Sequence, residues 1–210
     1  MIRESYLAVA GVAAELLAHP AVADCWDKPS ALAGYTVSGL AGHLAGQVNV
    51  VAKALDGPVP DTEPITALEH LSQARWLDAE QDGEVHRGIR AGGVQYAQVG
   101  ARTLAEQTAD VLERLRRELP EQPARRVVQF PWGPPALLLD DLLLNRMMEL
   151  VVHLDDLAVS VEVPTPEVPA AATDAVIGLL AAVAARRHGP VSVIRALTRA
   201  ERAPGSIAAF

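Results

Sequence analysis

The sequence predicts an all-α protein: a bundle of four principal helices with a short C-terminal helical extension. Half of the 210 residues are hydrophobic but only 4% are aromatic. Alanine, valine and leucine dominate, which favours closely packed helices over aromatic-rich strands. Apolar residues also recur at three- and four-residue spacing along several long segments. We expect residues 1–161 to form the bundle, and residues 162–210 to form a linker, a helix and a tail packed on it.

The first two principal helices are marked by apolar stripes and by clear ends. The first is predicted over residues 2–18, because His19-Pro20 follows and proline disfavours helix in the residue before it. A loop over residues 24–36 leads to the second helix, predicted over residues 37–55 and ended by Asp56-Gly57-Pro58. The inward faces would carry Leu7, Ala10, Ala14 and Leu17 in the first helix, and Val37, Leu40, Leu44, Val48, Val51 and Leu55 in the second.

The later elements follow from the same spacing and from proline positions. A short, weakly patterned helix is predicted over residues 66–78, and a long amphipathic helix over residues 93–119 ends at Pro120. Residues 127–130 could be extended before the fourth principal helix, over residues 137–161. The proline-rich stretch 161–170 reads as a linker to a fifth helix near residues 173–187, followed by a tail.

Charge and composition exclude several classes of function. The formal net charge is −8, and the lysines and arginines are scattered, which argues against a nucleic-acid surface and against an anionic membrane. The longest late apolar run, residues 175–185, is about half of the ~20 residues that span a bilayer. The single cysteine, Cys25, cannot form an internal disulfide, and Glu4 and Glu15 interrupt the N-terminal apolar segment. We therefore expect a cytoplasmic protein.

The fourth helix carries a charged seam, made of Arg146, Glu149, His153 and Asp156. These residues lie three or four positions apart in RMMELVVHLDDLAVSV, so they share one helix face. They could be exposed intrahelical pairs, each worth a few tenths of a kcal/mol. The surrounding residues are almost all apolar, however, which favours a seam facing an enclosed cavity. Glu149 and His153 could then supply two ligands to one metal ion, which needs at least a third.

The remaining histidines offer candidates for that third ligand. His19 and His188 lie at helix ends and are better explained as capping or exposed residues, while His70 and His86 have polar, weakly patterned surroundings. His43 lies inside the second helix at the margin of its apolar stripe. Glycine in a helix interior costs roughly 1 kcal/mol relative to alanine, and this helix contains Gly39, Gly42 and Gly46. That cost indicates either close helix approach or room beside His43. His43 is either a satisfied core histidine or part of a shared site with the seam, and the seam favours the shared site.

Two stretches of the sequence resemble a known family, the mycothiol-dependent maleylpyruvate isomerase N-terminal domain, a branch of the DinB-like metal-binding helical bundles. CWDKPSALAGYTVSGLAGHL, over residues 25–44, is similar to the loop and helix that bear the family's first ligand histidine. FPWGPPALLLDDLLLNRMMELVVHLDDLA, over residues 130–158, resembles its connector and its arginine-, glutamate-, histidine- and aspartate-bearing helix. The resemblance implies that His43, Glu149 and His153 are metal ligands.

The resemblance also implies a chemistry. Two imidazoles and one carboxylate suit zinc with an open position, although ligand type leaves nickel, iron and manganese open. The family implies a low-molecular-weight thiol such as mycothiol at that position, and a small electrophile as the second substrate. The expected activity is thiol transfer or isomerisation; Arg146 and Asp156 would support the ligands. Maleylpyruvate isomerases of the family carry a further C-terminal domain, whereas residues 162–210 follow the helix here, so isomerase activity itself stays open.

Some alternatives remain at this point. The protein could be a non-catalytic metal-binding or stress-response module in which the ion only joins two helices. Its oligomeric state is open, with a homodimer among the alternatives. Cys25 shows no basic neighbour in its loop, which favours an inert thiol. The tail arginines could hold an anionic group, but a solvated helical face is the favoured interpretation of Arg195, Arg199 and Arg202.

Overall fold

Helices form most of the protein, as predicted. The computed structural model describes residues 1–74, 76–77, 79–80 and 83–210. Its α-helices are α1 (Ile2–Leu17), α2 (Pro20–Asp24), α3 (Val37–Asp56), α4 (Ala67–Ser72), α5 (Glu84–Ala97), α6 (Ala101–Glu118), α7 (Leu139–Ser160), α8 (Ala170–His188) and α9 (Pro190–Thr198). Two strands, β1 (Val127–Phe130) and β2 (Gly133–Leu138), pair as an antiparallel hairpin. None of the helices described is long and apolar enough to cross a bilayer.

The longest apolar stripes predicted their helices well. α1, α3, α7 and α8 each begin and end within three residues of the predicted bounds. The short helix begins as expected, because Thr66 and Glu69 form a capping box in which Thr66 Oγ1 accepts from the Glu69 amide at 3.2 Å. It ends at Ser72, and its predicted last residue, Asp78, lies outside the described residues.

The prediction of one long helix over residues 93–119 was wrong. The segment belongs to two helices, α5 and α6, with a break at Gln98–Gly100. Gly100 has a φ of +82°, a backbone conformation that glycine adopts without the steric cost that a side chain brings. The glycine therefore allows α6 to start in a new direction. α5 also extends back to Glu84, where the polar sequence had given little helical signal.

Four further elements were not predicted: α2, β2, α9 and a short 3₁₀ helix. Residues 127–130 are extended as expected, but their partner strand takes residues 133–138, so α7 starts at Leu139 instead of residue 137. α9 and a short 3₁₀ helix, Ala200–Arg202, occupy part of the predicted tail. α1 ends just before His19, as expected, and His19 is an exposed capping residue: its Nδ1 accepts from the Ala21 amide at 3.2 Å and caps the start of α2.

The core lies where α1 and α3 both pack against α6 and α7. Its largest fully buried side chains include Tyr6, Leu40, Leu44, Leu115, Leu142, Leu143, Met147 and Met148. Arg3 of α1 links this helix to the start of α7 and to the segment that follows α6. Its Nε donates to Asp140 Oδ1 at 2.9 Å at the start of α7, and its Nη1 donates to the Leu119 and Gln122 carbonyls at 3.0 and 2.6 Å beyond α6. These contacts fix α7, which carries the seam, relative to α1 and α6.

Glycines bring α5 into backbone contact with α3 beside His43. A Cβ atom added at Gly42 would lie 2.0 Å from the Gly93 carbonyl oxygen, and one added at Gly93 would lie 2.4 Å from the Gly39 carbonyl oxygen. Real Cβ atoms do not approach backbone so closely, so either helix would have to move. Of the two explanations that the glycine-rich sequence left open, close helix approach is the one observed. It covers His43 with α5.

We predict that Gly93→Ala destabilises the protein and that Gly92→Ala does not. The added methyl at position 93 would force α5 away from α3, and overpacking of this kind costs about 1–3 kcal/mol or more. The neighbouring Gly92 has no atom within 4 Å of the added Cβ. Alanine there should raise helix propensity and stabilise by up to about 1 kcal/mol. Urea denaturation of the two variants compares them on one helix, and equal free energies of unfolding would contradict the role assigned to this contact.

Candidate metal centre

The structure brings His43 of α3 together with Glu149 and His153 of α7. Glu149 Oε2 lies 3.4 Å from His43 Nε2 and 3.4 Å from His153 Nε2. The two imidazole rings are 4.7 Å apart between centroids and nearly perpendicular, at 85°. One potential ligand atom from each residue lies within 4.8 Å of the others. We call these three residues the His–Glu–His cluster.

The cluster is buried, unlike an exposed set of intrahelical pairs. The side chains of His43, Glu149 and His153 are only 14%, 14% and 15% exposed. Pairs within α7 do exist, since Arg146 Nη2 lies 4.0 Å from Glu149 Oε1. They are joined, however, to a histidine from a different helix. The interpretation that a few exposed ion pairs explain the seam therefore does not fit its surroundings.

Asp156 holds one imidazole of the cluster in place. Its Oδ2 lies 2.9 Å from His153 Nδ1, so His153 can present Nε2 toward Glu149. Burial opposes the protonation of His153, but hydrogen bonds with Asp156 and Glu149 outweigh it and raise the pKa to about 9. Burial likewise opposes the ionised form of Glu149, yet His153, His43 and Arg146 hold its pKa well below the usual range. Without a metal, His153 therefore holds a proton that a bound cation would displace.

The second imidazole is positioned through a buried glutamine. Gln47 lies one turn after His43 on α3, and its Nε2 lies 3.2 Å from His43 Nε2 and donates to the His43 carbonyl at 2.9 Å. Arg146 Nη1 donates to Gln47 Oε1 at 2.6 Å, which orients the amide so that its NH₂ faces the imidazole. Burial lowers the pKa of His43. This shift favours the neutral imidazole, and the Gln47 amide beside Nε2 favours the tautomer with its lone pair there.

Arg146 lies under the cluster in a polar network that the sequence did not predict. Only 8% of the residue is exposed. Its Nε donates to Asn145 Oδ1 at 3.0 Å, its Nη2 also donates there, and its guanidinium carbon is 5.2 Å from the centroid of the Phe130 ring. The i, i+4 spacing of His43 and Gln47 was the only sequence signal for this network, and it does not identify the partner of the glutamine.

His70 belongs to the surroundings of the cluster, although the sequence placed it in a polar segment. Its ring stacks on Phe130 at 4.8 Å, and Phe130 stacks in turn on Trp132 at 4.7 Å. Burial, followed by the charge of Arg146, lowers the pKa of His70 to about 4, against the opposing charge of Glu149. His70 is therefore neutral at physiological pH. The position of His70 near the cluster could not be predicted from the sequence, because Phe130, on which it stacks, lies 60 residues away on β1.

The other histidines and the cysteine lie outside the cluster. His86 Nε2 is 3.1 Å from the Trp76 carbonyl oxygen, and His188 Nε2 is 2.7 Å from that of Ala208. The expectation that Cys25 has no basic neighbour was wrong, because Lys28 Nζ donates to its Sγ at 3.4 Å. The three tail arginines are exposed, as the solvated-face interpretation predicted.

The donor set and its spacing fit a small divalent cation. Neutral imidazole nitrogens and a carboxylate oxygen are ordinary zinc ligands, and two atoms that bind one tetrahedral zinc lie about 3.4 Å apart. Both measured Nε2 to Oε2 distances are 3.4 Å. The contact from Asp156 to His153 Nδ1 is the kind of support that ligand histidines usually have. The residues present therefore fit a three-ligand metal site.

Because folding lowers the pKa of His70, we predict that the protein loses stability as the pH falls from about 6.5 toward about 4. The unfolded chain takes up a proton over that range and the folded chain does not. Above the range both forms are neutral, so the effect is absent. Allowing for partial exposure, the loss should be about 1–2 kcal/mol. Urea denaturation between pH 4 and 7 checks this: His70→Gln should show a shallower pH dependence than the wild type, and parallel curves would contradict the assignment.

Comparisons with known proteins identify the family. The family described as the mycothiol maleylpyruvate isomerase N-terminal domain matches residues 7–158, which include all of the His–Glu–His cluster. Comparison with curated proteins gave no match, and comparison with solved structures gave none either. The family match covers well over half of the chain and agrees with the resemblance of the segments around His43 and Glu149. The chain belongs to the mycothiol maleylpyruvate isomerase N-terminal domain family.

Proposed function

We propose that His43, Glu149 and His153 bind one divalent cation, with zinc the ion that suits them best. The observation that carries this proposal is the convergence of three ligand atoms, all within 4.8 Å, from two helices into a buried site. In the fold, the three groups pair with one another and with Asp156, Gln47 and Arg146, which keeps their ligand atoms close together. A cation offers each of them a partner at once. Three protein ligands leave an open position, as in catalytic zinc sites.

The proposal includes the architecture that holds the site. The packing of α1 and α3 against α6 and α7 supports a DinB-like four-helix bundle. We infer that residues 1–161 form this metal-binding unit and that residues 162–210 form an annex. α8 contacts α1, α4 and α7, which is what such an annex requires.

We predict that protein purified without chelator contains about one divalent ion per chain. Glu149→Ala and His153→Ala should each abolish that content, because two remaining ligands do not hold a catalytic-type ion firmly. Metal analysis by mass spectrometry measures the stoichiometry, and circular dichroism checks that the variants fold. His188→Ala, at the end of α8, is a matched control that removes an imidazole elsewhere. Full occupancy in both cluster variants would place the ligands somewhere else.

We propose further that the site uses a low-molecular-weight thiol, with mycothiol the thiol that the family indicates. A divalent cation bound by the cluster would lower the pKa of a coordinated thiol and hold it as the thiolate. The protein groups orient the site: Asp156 fixes His153, and Gln47 with Arg146 fixes His43. A thiolate held there can add to an electrophilic carbon, giving thiol transfer, or isomerisation when the addition reverses.

We predict that metal-loaded wild type accelerates the reaction of mycothiol with an α,β-unsaturated ketone at least about 100-fold over His43→Ala. Benzylideneacetone is a suitable probe, because its absorbance falls as the thiol adds. His188→Ala should react like the wild type. Equal rates in wild type and His43→Ala, with metal still bound to the wild type, would count against catalysis.

That last outcome would favour the second candidate, a non-catalytic metal-binding or stress-response module. Limited access of a substrate to the cluster favours this candidate, because the cluster side chains are only about 14–15% exposed. Two surface cavities of about 360 and 350 Å³ lie elsewhere, one beside α1 and α6 and the other beside α8 and α9. In such a module the cation would join α3 to α7 without performing chemistry.

A further inference from the structure

Tyr35 is held rigidly beside the His–Glu–His cluster. It precedes Thr36, the residue that caps α3, and both of its backbone groups are paired. Its amide donates to the Leu32 carbonyl at 3.1 Å, and its carbonyl accepts from the Ser30 amide at 3.0 Å. The loop is also tied to the end of α7, where Ser160 Oγ accepts from the Ala31 amide at 2.8 Å. Tyr35 is therefore anchored to both helices that form the cluster.

The ring of Tyr35 lies against the cluster itself. It meets the His43 imidazole edge-on, with centroids 6.0 Å apart and an interplanar angle of 63°. The ring also lies beside Gly39, one turn before His43, where an added Cβ would be in ordinary van der Waals contact with Tyr35 Cδ1 at 3.7 Å. Tyr35 is half-buried, so part of its side chain is open to solvent beside the cluster.

The phenolic hydroxyl of Tyr35 is not engaged by the residues that the structure describes. Within the described part of the chain, no hydrogen bond joins Tyr35 Oη to another group. Two charged side chains act on it: Arg90, whose Nη1 would lie 3.3 Å from a Cβ atom at Gly34, and Glu149 of the cluster. Burial raises the pKa of Tyr35 to about 12, with Arg90 opposing and Glu149 adding to the effect. A tyrosine hydroxyl carries its proton at physiological pH and can donate it in a hydrogen bond.

We propose that Tyr35 is a catalytic residue whose hydroxyl donates a hydrogen bond to a carbonyl oxygen of the electrophile. This inference rests on the proposed function and adds to it a residue of this chain that would stabilise the charge developing on the electrophile. As the thiolate adds to an enone, an S–C bond forms at the β-carbon, the C=C pair shifts toward the carbonyl carbon, and the carbonyl π pair moves onto oxygen. The negative charge grows on that oxygen. A fixed donor there stabilises the transition state more than the ground state.

The test compares Tyr35→Phe with Tyr96→Phe, both in metal-loaded protein. Tyr35→Phe keeps the ring against His43 and removes only the hydroxyl. Tyr96 on α5 is a matched control, because its hydroxyl is engaged with Lys53 Nζ at 2.9 Å, away from the cluster. With mycothiol and benzylideneacetone, Tyr35→Phe should lower kcat about 100-fold, the usual effect of losing one donor to a developing oxyanion. Tyr96→Phe should not change it.

Two further measurements separate this role from a structural one. With benzyl chloride, where the C–Cl pair leaves on chloride and no carbonyl oxygen gains charge, Tyr35→Phe should react with mycothiol at the wild-type rate. Isothermal titration with benzylacetone, the saturated and unreactive ketone, should show binding weakened roughly fivefold in Tyr35→Phe. Equal loss with both electrophiles would mean that Tyr35 only supports the fold, and would overturn the inference.

The ketone titration tests the role of Tyr35 separately from the proposed thiol chemistry. If the wild type catalyses neither reaction, the proposed thiol chemistry fails, and ketone binding then decides the role of Tyr35 alone. Weaker binding in Tyr35→Phe with unchanged metal content supports a donor to a carbonyl ligand. Equal binding in the two proteins, or no binding to either, overturns it.

Discussion

Burial of the Glu149 carboxylate is the constraint on which the rest of the site depends. A carboxylate that is 14% exposed must be compensated, and α7 alone supplies too little compensation. Three groups compensate the carboxylate: His153 one turn later on the same helix, His43 from α3, and Arg146 one turn earlier. Each of these groups needs its own partner in turn, which accounts for Asp156, Gln47 and Asn145 around them. One buried charge thus organises polar groups from two helices.

Backbone packing makes that arrangement geometrically possible. α3 carries His43 and Gln47 on one side and its glycines toward α5, so that α5 approaches to backbone contact at Gly42 and Gly93. That approach covers His43 and keeps water from most of its ring. The same helix α5 brings Arg90 over the loop that carries Tyr35. By allowing this close packing, the glycines lower the local dielectric around the cluster, which strengthens the electrostatic interactions of its charged groups.

The cluster has two sides of different character. On one side, Arg146, Phe130 and His70 are packed together, with Trp132 stacked on Phe130 at the surface. On the other, Tyr35 presents a ring to His43 and a hydroxyl that the described residues do not engage. The first side is packed within the protein and suits support of the candidate ligands. The second is where a ligand would find a donor, which is why chemistry is proposed at that face.

The sequence by itself determined the helical class, the bounds of α1, α3, α7 and α8, and the charged seam on α7, because these follow from periodicity within one segment. It also narrowed the candidates for a third ligand to His43, by its helix position and by family resemblance. Only the tertiary structure decided that α5 and α6 are separate helices, that residues 133–138 pair with β1, and that Lys28 contacts Cys25. It alone revealed Gln47, Asn145, His70 and Tyr35 around the cluster. Their roles depend on contacts between segments distant in the chain, such as Gln47 with Arg146, and local spacing carries no information about which distant segment becomes a neighbour.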